Sequence, residues 1–89
     1  MIRNKVKIIN KLGLHARAAA KFVTLASGYK SDVQLVKGER GVNGKSIMGV
    51  MMLAAACGSE LELVIDGADE QEAMAKLEEL INALFGEAE

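Results

Sequence analysis

Ile2, Val6 and Ile8 are interleaved with Arg3, Lys5 and Lys7 at the start of the chain. A strand points successive side chains to opposite faces, so this alternation demands a sheet with one face buried and one in water. The same period returns where Val33 and Leu35 alternate with Asp32 and Gln34. It returns again where Leu61, Leu63 and Ile65 alternate with Glu60, Glu62 and Val64. A doubly wound sheet, covered on both faces, would not tolerate Lys5, Lys7, Gln34 and Glu62 on its second side. Any helices must therefore share one face of the sheet.

Between these segments the period changes to that of a helix. Ala19, Phe22, Val23 and Ala26 predict a first helix over about Ala16 to Ser27, with Gly28 placed as a left-handed stop. Asp32 to Lys37, the Gly38 to Gly41 turn and a short segment around Val42 read as a hairpin. Ser46 is a good N-cap for a second helix that Gly58 would close, with Gly49 an unfavourable interior residue. The strand through Leu61 to Ile65 runs to the Asp66-Gly67 turn signal. Asp69 then caps a last helix with Glu72 in a capping-box position. Ala73, Leu77, Leu80, Ile81 and Leu84 form its apolar face, and Gly86 stops it. The order βαββαβα fits a two-layer α+β sandwich.

A chain of 89 residues supports one core, so residues 1–89 are expected to form a single domain. Apolar residues at 51% against 26% charged give ample core material. Eleven basic against twelve acidic residues leave no field to hold a polyanion, and three aromatics without Trp offer little to stack on bases. Nucleic-acid binding is thereby disfavoured. Cys57 alone cannot close an intramolecular disulfide, and with His15 alone it cannot build a four-ligand zinc site, so no metal or other cofactor is expected. The longest mostly apolar stretch, Ile47 to Cys57, is shorter than the roughly 20 residues that cross a bilayer. The alternating N-terminus contains no signal-peptide core. With an unpaired Cys57, these features predict a cytoplasmic protein with protein or small-anion partners.

Two places break local rules. Gly13, Leu14 and His15 provide no Ser, Thr, Asp or Asn to cap the first helix, and Arg17 sets a cation at the positive end of its dipole. A bound anion would repair both faults, and His15 stands there as a nucleophile. The alternative is an ordinary helix entry with a solvated arginine. In the second helix, Ile47, Met48, Met51, Met52 and Ala55 take one side while Val50, Leu53, Ala54 and Cys57 take the other. A two-layer domain buries one side only. The outer stripe is either gap-filling core or a docking face.

Asn10-Lys11-Leu12-Gly13-Leu14-His15-Ala16-Arg17, followed by Lys45-Ser46-Ile47-Met48-Gly49, resembles the HPr family of histidine-containing phosphocarrier proteins. The resemblance spans essentially the whole chain. It implies an open-faced β-sandwich with a four-stranded antiparallel sheet and three helices on one face. It also implies that His15 accepts a phosphoryl group from enzyme I of the phosphoenolpyruvate-dependent phosphotransferase system and passes it to IIA-type proteins. By the same match Arg17 is the active-site arginine, and Ala16, Arg17 and Ala18 surround the phosphate. Ser46 aligns with a position that a serine kinase phosphorylates in some members. From the two-sided apolar helix, Ile47, Met48, Met51 and Met52 are expected to contribute to the partner surface of a monomer, some of them as core, with Ile47 and Met48 the exposed ones. Many members carry proline after the arginine, where this chain has Ala18 and a free backbone N–H.

The leading reading is thus a carrier and not an enzyme. A regulatory adaptor controlled by phosphorylation of Ser46 or His15 is the alternative, and retention of His15 favours transfer. The sequence does not choose between sugar uptake and a nitrogen-related branch. A nucleic-acid module conflicts with the charge, and an autonomous enzyme lacks a nucleotide loop.

Overall fold

A computed structural model describes residues 1–89. The elements are β1 (Ile2–Lys7), α1 (Ala16–Ser27), β2 (Asp32–Lys37), β3 (Arg40–Asn43), α2 (Ile47–Met52), β4 (Glu60–Asp66) and α3 (Glu70–Asn82), with a short 3-10 turn at Leu84–Gly86. The four strands form one antiparallel sheet in the order β1-β4-β2-β3. The helices cover one face, as the alternation required. Lys5 lies opposite Glu62 and Lys7 opposite Glu60 in the register, so residues of opposite charge face each other across the wet face. The ion pair formed there is between Arg3 and Glu62, at 3.2 Å. Val64 belongs to that open face by parity, yet it is buried. Its register partners Arg3 and Gln34 flank it, and their side chains can lie over it.

The core is one cluster of 20 buried residues that joins Phe22 and Ala19 of α1 to Leu35, Leu63 and Ile65 of the sheet and to Leu77 and Ile81 of α3. Asn10 is one of two buried polar residues. Its amide is held by the connection that leads into α1, where Nδ2 donates to the Gly13 carbonyl at 2.8 Å.

Four local expectations are corrected. The second helix ends at Met52, well before Gly58. The side-chain amines and guanidinium of the neighbouring hairpin take over its last carbonyls: Arg40 donates to the Met52 carbonyl at 2.9 Å, and Lys37 to those of Leu53 and Ala54 at 3.4 and 3.3 Å. Ala54 then takes a positive φ of 50°, which turns Ala54 outward and Ala55 inward, the reverse of their expected sides. Gly28 ends α1 without a left-handed conformation, at φ −77°. The last helix stops at Asn82 because Leu84 and Phe85 both take positive φ. This puts Phe85, rather than Leu84, in the core.

Asp69 stands at the N-cap of α3 but makes no cap bond. Its carboxylate instead accepts from the backbone N–H of Lys30 at 2.8 Å, from that of Ser31 at 3.0 Å and from the Ser31 hydroxyl at 2.5 Å. The connection after α1 has donors with no strand or helix partner, and this carboxylate satisfies them. Glu72 makes no reciprocal bond, whereas Glu70 accepts from Gly67 N–H at 3.1 Å.

The Ser31 hydroxyl and the Lys30 N–H hold the Asp69 carboxyl down at about 2, against an ordinary 3.8. A carboxyl with a depressed native value contributes stability above its unfolded value, and loses it as pH falls through the native one. Asp69→Asn should therefore lower the urea midpoint at neutral pH. The gap to the native sequence should narrow between pH 3.8 and about 2 in a pH series of denaturation curves. A gap that does not change with pH over that range would show that the carboxylate charge is irrelevant there.

Candidate functional site

The entry to α1 is fixed by backbone contact with the segment that leaves α2. Leu14 N–H donates to the Ala55 carbonyl at 2.9 Å. Gly13 takes φ +67°, and a Cβ there would sit 2.5 Å from that same carbonyl oxygen. Glycine is required on both counts. The close approach holds His15 at the end of the connection, with its backbone extended and its ring half-buried.

The first helix is capped after all, contrary to the sequence reading: His15 Nδ1 accepts from the backbone N–H of Arg17 at 3.3 Å. An imidazole that accepts at Nδ1 carries its proton on Nε2 when neutral. The bond is long. No backbone or side-chain acceptor meets the N–H groups of Ala16 and Ala18, which stay free as the first-turn donors of a helix do. Arg17 is exposed and its guanidinium makes no ion pair or hydrogen bond. The methyl of Ala18 is fully buried, so this residue can reach an anion only through its N–H.

His15, Ala16 and Arg17 line an open cleft of about 910 Å³ together with Lys11, Leu12 and Lys21 on one wall and residues 86–89 on the other. The tail wall has no signature in the sequence. Lys21 Nζ donates to the Phe85 carbonyl at 2.7 Å, and Lys11 N–H to the Glu89 carbonyl at 2.9 Å. Glu87 Oε2 contacts His15 Nε2, while Glu87 Oε1 accepts from Asn10 Nδ2 at 2.9 Å. The Asn10 amide first, and the imidazole second, hold the Glu87 carboxyl below the usual carboxylate range. Asn10, Lys21 and Glu87 are thus site residues that local reading missed. Only the fold brings positions 10, 15 and 87 together.

Ser46 caps α2 as expected, its Oγ accepting from Gly49 N–H at 3.1 Å. Met48 is 72% exposed, and Ile47, Met51 and Met52 are also exposed, whereas Val50 and Leu53 on the opposite side are buried. Ile47, Met48, Met51 and Met52 therefore form an apolar surface stripe on a helix that packs beside α1. Neither Ser46 nor any of Ile47, Met48, Met51 and Met52 lines the His15 cleft. No group of acidic, His and Cys side chains is arranged to hold a metal ion. No helix is long and apolar enough to cross a membrane.

These features define a small open-faced β-sandwich whose distinguishing element is a half-buried histidine at a helix N-terminus, with free backbone donors and an unpaired arginine around it. The family described as the phosphorylation site of the phosphotransferase-system HPr component matches residues 2–83. The phosphocarrier protein HPr of Neisseria meningitidis serogroup A is 60% identical over 89 residues, covering 100% of both chains. The solved structure of HPr-C-His from Thermoanaerobacter tengcongensis superposes with a TM-score of 0.96 at 44% identity, again over 100% of both chains. A Bacillus subtilis catabolite repression protein, Crh, described as a dimer with an unexpected swapping domain, aligns at a TM-score of 0.76 and 46% identity over 94% of this chain and 97% of its own. The chain belongs to the HPr family, the phosphocarrier proteins of the phosphotransferase system, and is a carrier rather than an enzyme.

The cap gives a local prediction. Ser46→Ala should lower stability by about 1 kcal/mol, the typical cost of an N-cap. Ser46→Asp should recover most of that loss, since a carboxylate accepts the same bond and suits the helix dipole. Urea denaturation of the three proteins checks both; equal midpoints would mean that the Oγ bond to Gly49 contributes nothing.

Proposed function

We propose that His15 takes a phosphoryl group from phosphorylated enzyme I and delivers it to IIA-type proteins. The observation that carries this reading is the placement of His15 Nδ1 at the α1 N-terminus, among N–H groups with little else to bind. In the transfer, the Nδ1 lone pair leaves its long bond to Arg17 N–H and attacks phosphorus. The N–H groups of Ala16, Arg17 and Ala18 then face the phosphate oxygens, in the manner of helix N-terminal anion sites. Arg17 supplies a mobile counter-charge. The half-exposed position of the ring suits a carrier, which must release the group as readily as it receives it.

Partners dock on Ile47, Met48, Met51 and Met52, the apolar stripe beside α1. Such a patch on so small a protein is an interaction surface by its chemistry. The protein works as a monomer in the cytoplasm. Ser46 phosphorylation by a serine kinase would add about −1.5 to −2 charges next to this stripe and oppose its desolvation by a partner. A regulatory adaptor is the second reading: the Ser46 Oγ starts the helix that bears the stripe, and the relative Crh is named for catabolite repression.

Incubation with enzyme I and phosphoenolpyruvate, read by intact mass, should show one acid-labile phosphate on the native protein and none on His15→Ala, with the His15→Ala fold preserved. Phosphate on His15→Ala would overturn the assignment. Arg17→Ala should slow transfer in at least one direction by roughly tenfold or more, the worth of one charge-assisted bond. Unchanged rates both ways would remove Arg17 from the reaction.

Met48→Asp should weaken partner docking and raise the carrier concentration needed for half-maximal transfer, with little loss of stability. Ser46→Asp should do the same more mildly. A large fall in melting temperature with unchanged transfer would instead make Met48 a structural residue. Equal rates for native and Ser46→Asp protein at sub-saturating concentration would leave Ser46 as a cap alone.

A further inference from the structure

We propose that Glu87 is a positioning residue for His15, accepting the Nε2–H of the imidazole so that Nδ1 keeps its lone pair toward α1 and the ring keeps its Nε2 proton while it carries phosphate. The inference rests on the carrier reading above and adds a residue from the far end of the chain to it.

The contacts at the two ring nitrogens are consistent with each other. Nδ1 accepts from Arg17 N–H, and Nε2 meets Glu87 Oε2. A neutral ring can satisfy both only with its single proton on Nε2. Glu87 is itself held. Its other oxygen accepts from the amide of Asn10, a fully buried side chain that also donates to the Gly13 carbonyl. The Lys21 amine on the Phe85 carbonyl and the Lys11 N–H on the Glu89 carbonyl fasten the tail on either side. Asn10, Glu87 and His15 thus form a string from the buried loop to the reacting ring, with the same arrangement of roles as a carboxylate that orients a catalytic histidine.

The string has a use in each direction of transfer. When His15 receives the group, the Nδ1 lone pair forms the N–P bond, and the bond from phosphorus to the donor breaks with its electron pair going to the donor. The ring becomes cationic, and the Glu87 carboxylate stands against its Nε2–H. When His15 gives the group up, the N–P pair returns to Nδ1 and the leaving group is neutral imidazole. Loss of the Nε2 proton would make the leaving group an imidazolate anion, which departs far less readily. No net proton transfer is needed in either direction, provided that Nε2–H stays in place.

Two measurements on the native protein, Glu87→Ala and Glu87→Asp test this. The first is the ring N–H resonance of unphosphorylated protein by proton NMR. It should be visible and slowly exchanging in the native protein, lost by exchange in Glu87→Ala and regained in Glu87→Asp. The second is the hydrolysis of protein phosphorylated with phosphoramidate, which needs no partner. Hydrolysis near neutral pH should slow roughly tenfold in Glu87→Ala, and the conservative variant should restore it. An unchanged N–H resonance in Glu87→Ala, or unchanged or faster hydrolysis, overturns the proposal. Failure of the native protein to hold phosphate on His15 would instead overturn the carrier reading and the transfer half of this one, while the NMR result would still judge the Glu87 contact.

Discussion

The backbone bond from Leu14 N–H to the Ala55 carbonyl joins the entry of α1 to the exit of α2, and the surface of the protein depends on it. It requires the two segments to approach so closely that only glycine fits at position 13. The same contact sets where His15 leaves the connection and where the short α2 must lie. A six-residue helix has little stability of its own, so its direction is imposed from outside. Ser46 fixes its start, while Arg40, Lys37 and the Leu14 bond hold the carbonyls in and beyond its last turn. The exposed methionines are thus mounted on a helix that is tied at both ends.

The sheet supplies the rigid base for this arrangement. Its one-sided alternation leaves a single apolar face, and α1 and α3 lie on it through Phe22, Ala19, Leu77 and Ile81. Because the core is shared between α1 and β4, the α1 N-terminus cannot shift without moving buried side chains. Free N–H groups at a helix end serve as an anion site only when the helix is held in this way. The proposed chemistry at His15 therefore depends on packing well away from the ring.

Periodicity made the architecture legible in the sequence. Three of the four strands were visible as alternations and each long helix as a 3.6-residue pattern, because both signals record burial directly, while β3 was placed only by the turn before it. Errors arose where a long-range partner decides the outcome. The early end of α2 depends on cations from the β2-β3 hairpin, and the Asp69 carboxylate was drawn to the Lys30–Ser31 backbone instead of its own helix. At the site, the first-turn residues were readable because the lack of a usual capping side chain is a local fact. That His15 would serve as its own cap was not, since imidazole is not among the usual capping side chains. Glu87 and Asn10 were out of reach: they lie 72 positions after and five before His15, and only the folded tail brings all three together.

The weakness of the cap has a consequence for the proposed transfer. At 3.3 Å the bond from Arg17 N–H to Nδ1 holds the lone pair in place at little cost to its availability. In the proposed transfer that N–H would exchange a ring nitrogen for a phosphate oxygen, a better acceptor because it is charged. The helix terminus, capped by the ring in this structure, would then be capped by the group on it. A strong side-chain cap such as Ser or Asp would occupy the same N–H groups and compete with phosphate for them. On the proposed transfer, the absence of a usual capping residue at this helix and the presence of a histidine are two sides of one requirement. The position must be satisfied without phosphate, but not so well that phosphate is excluded.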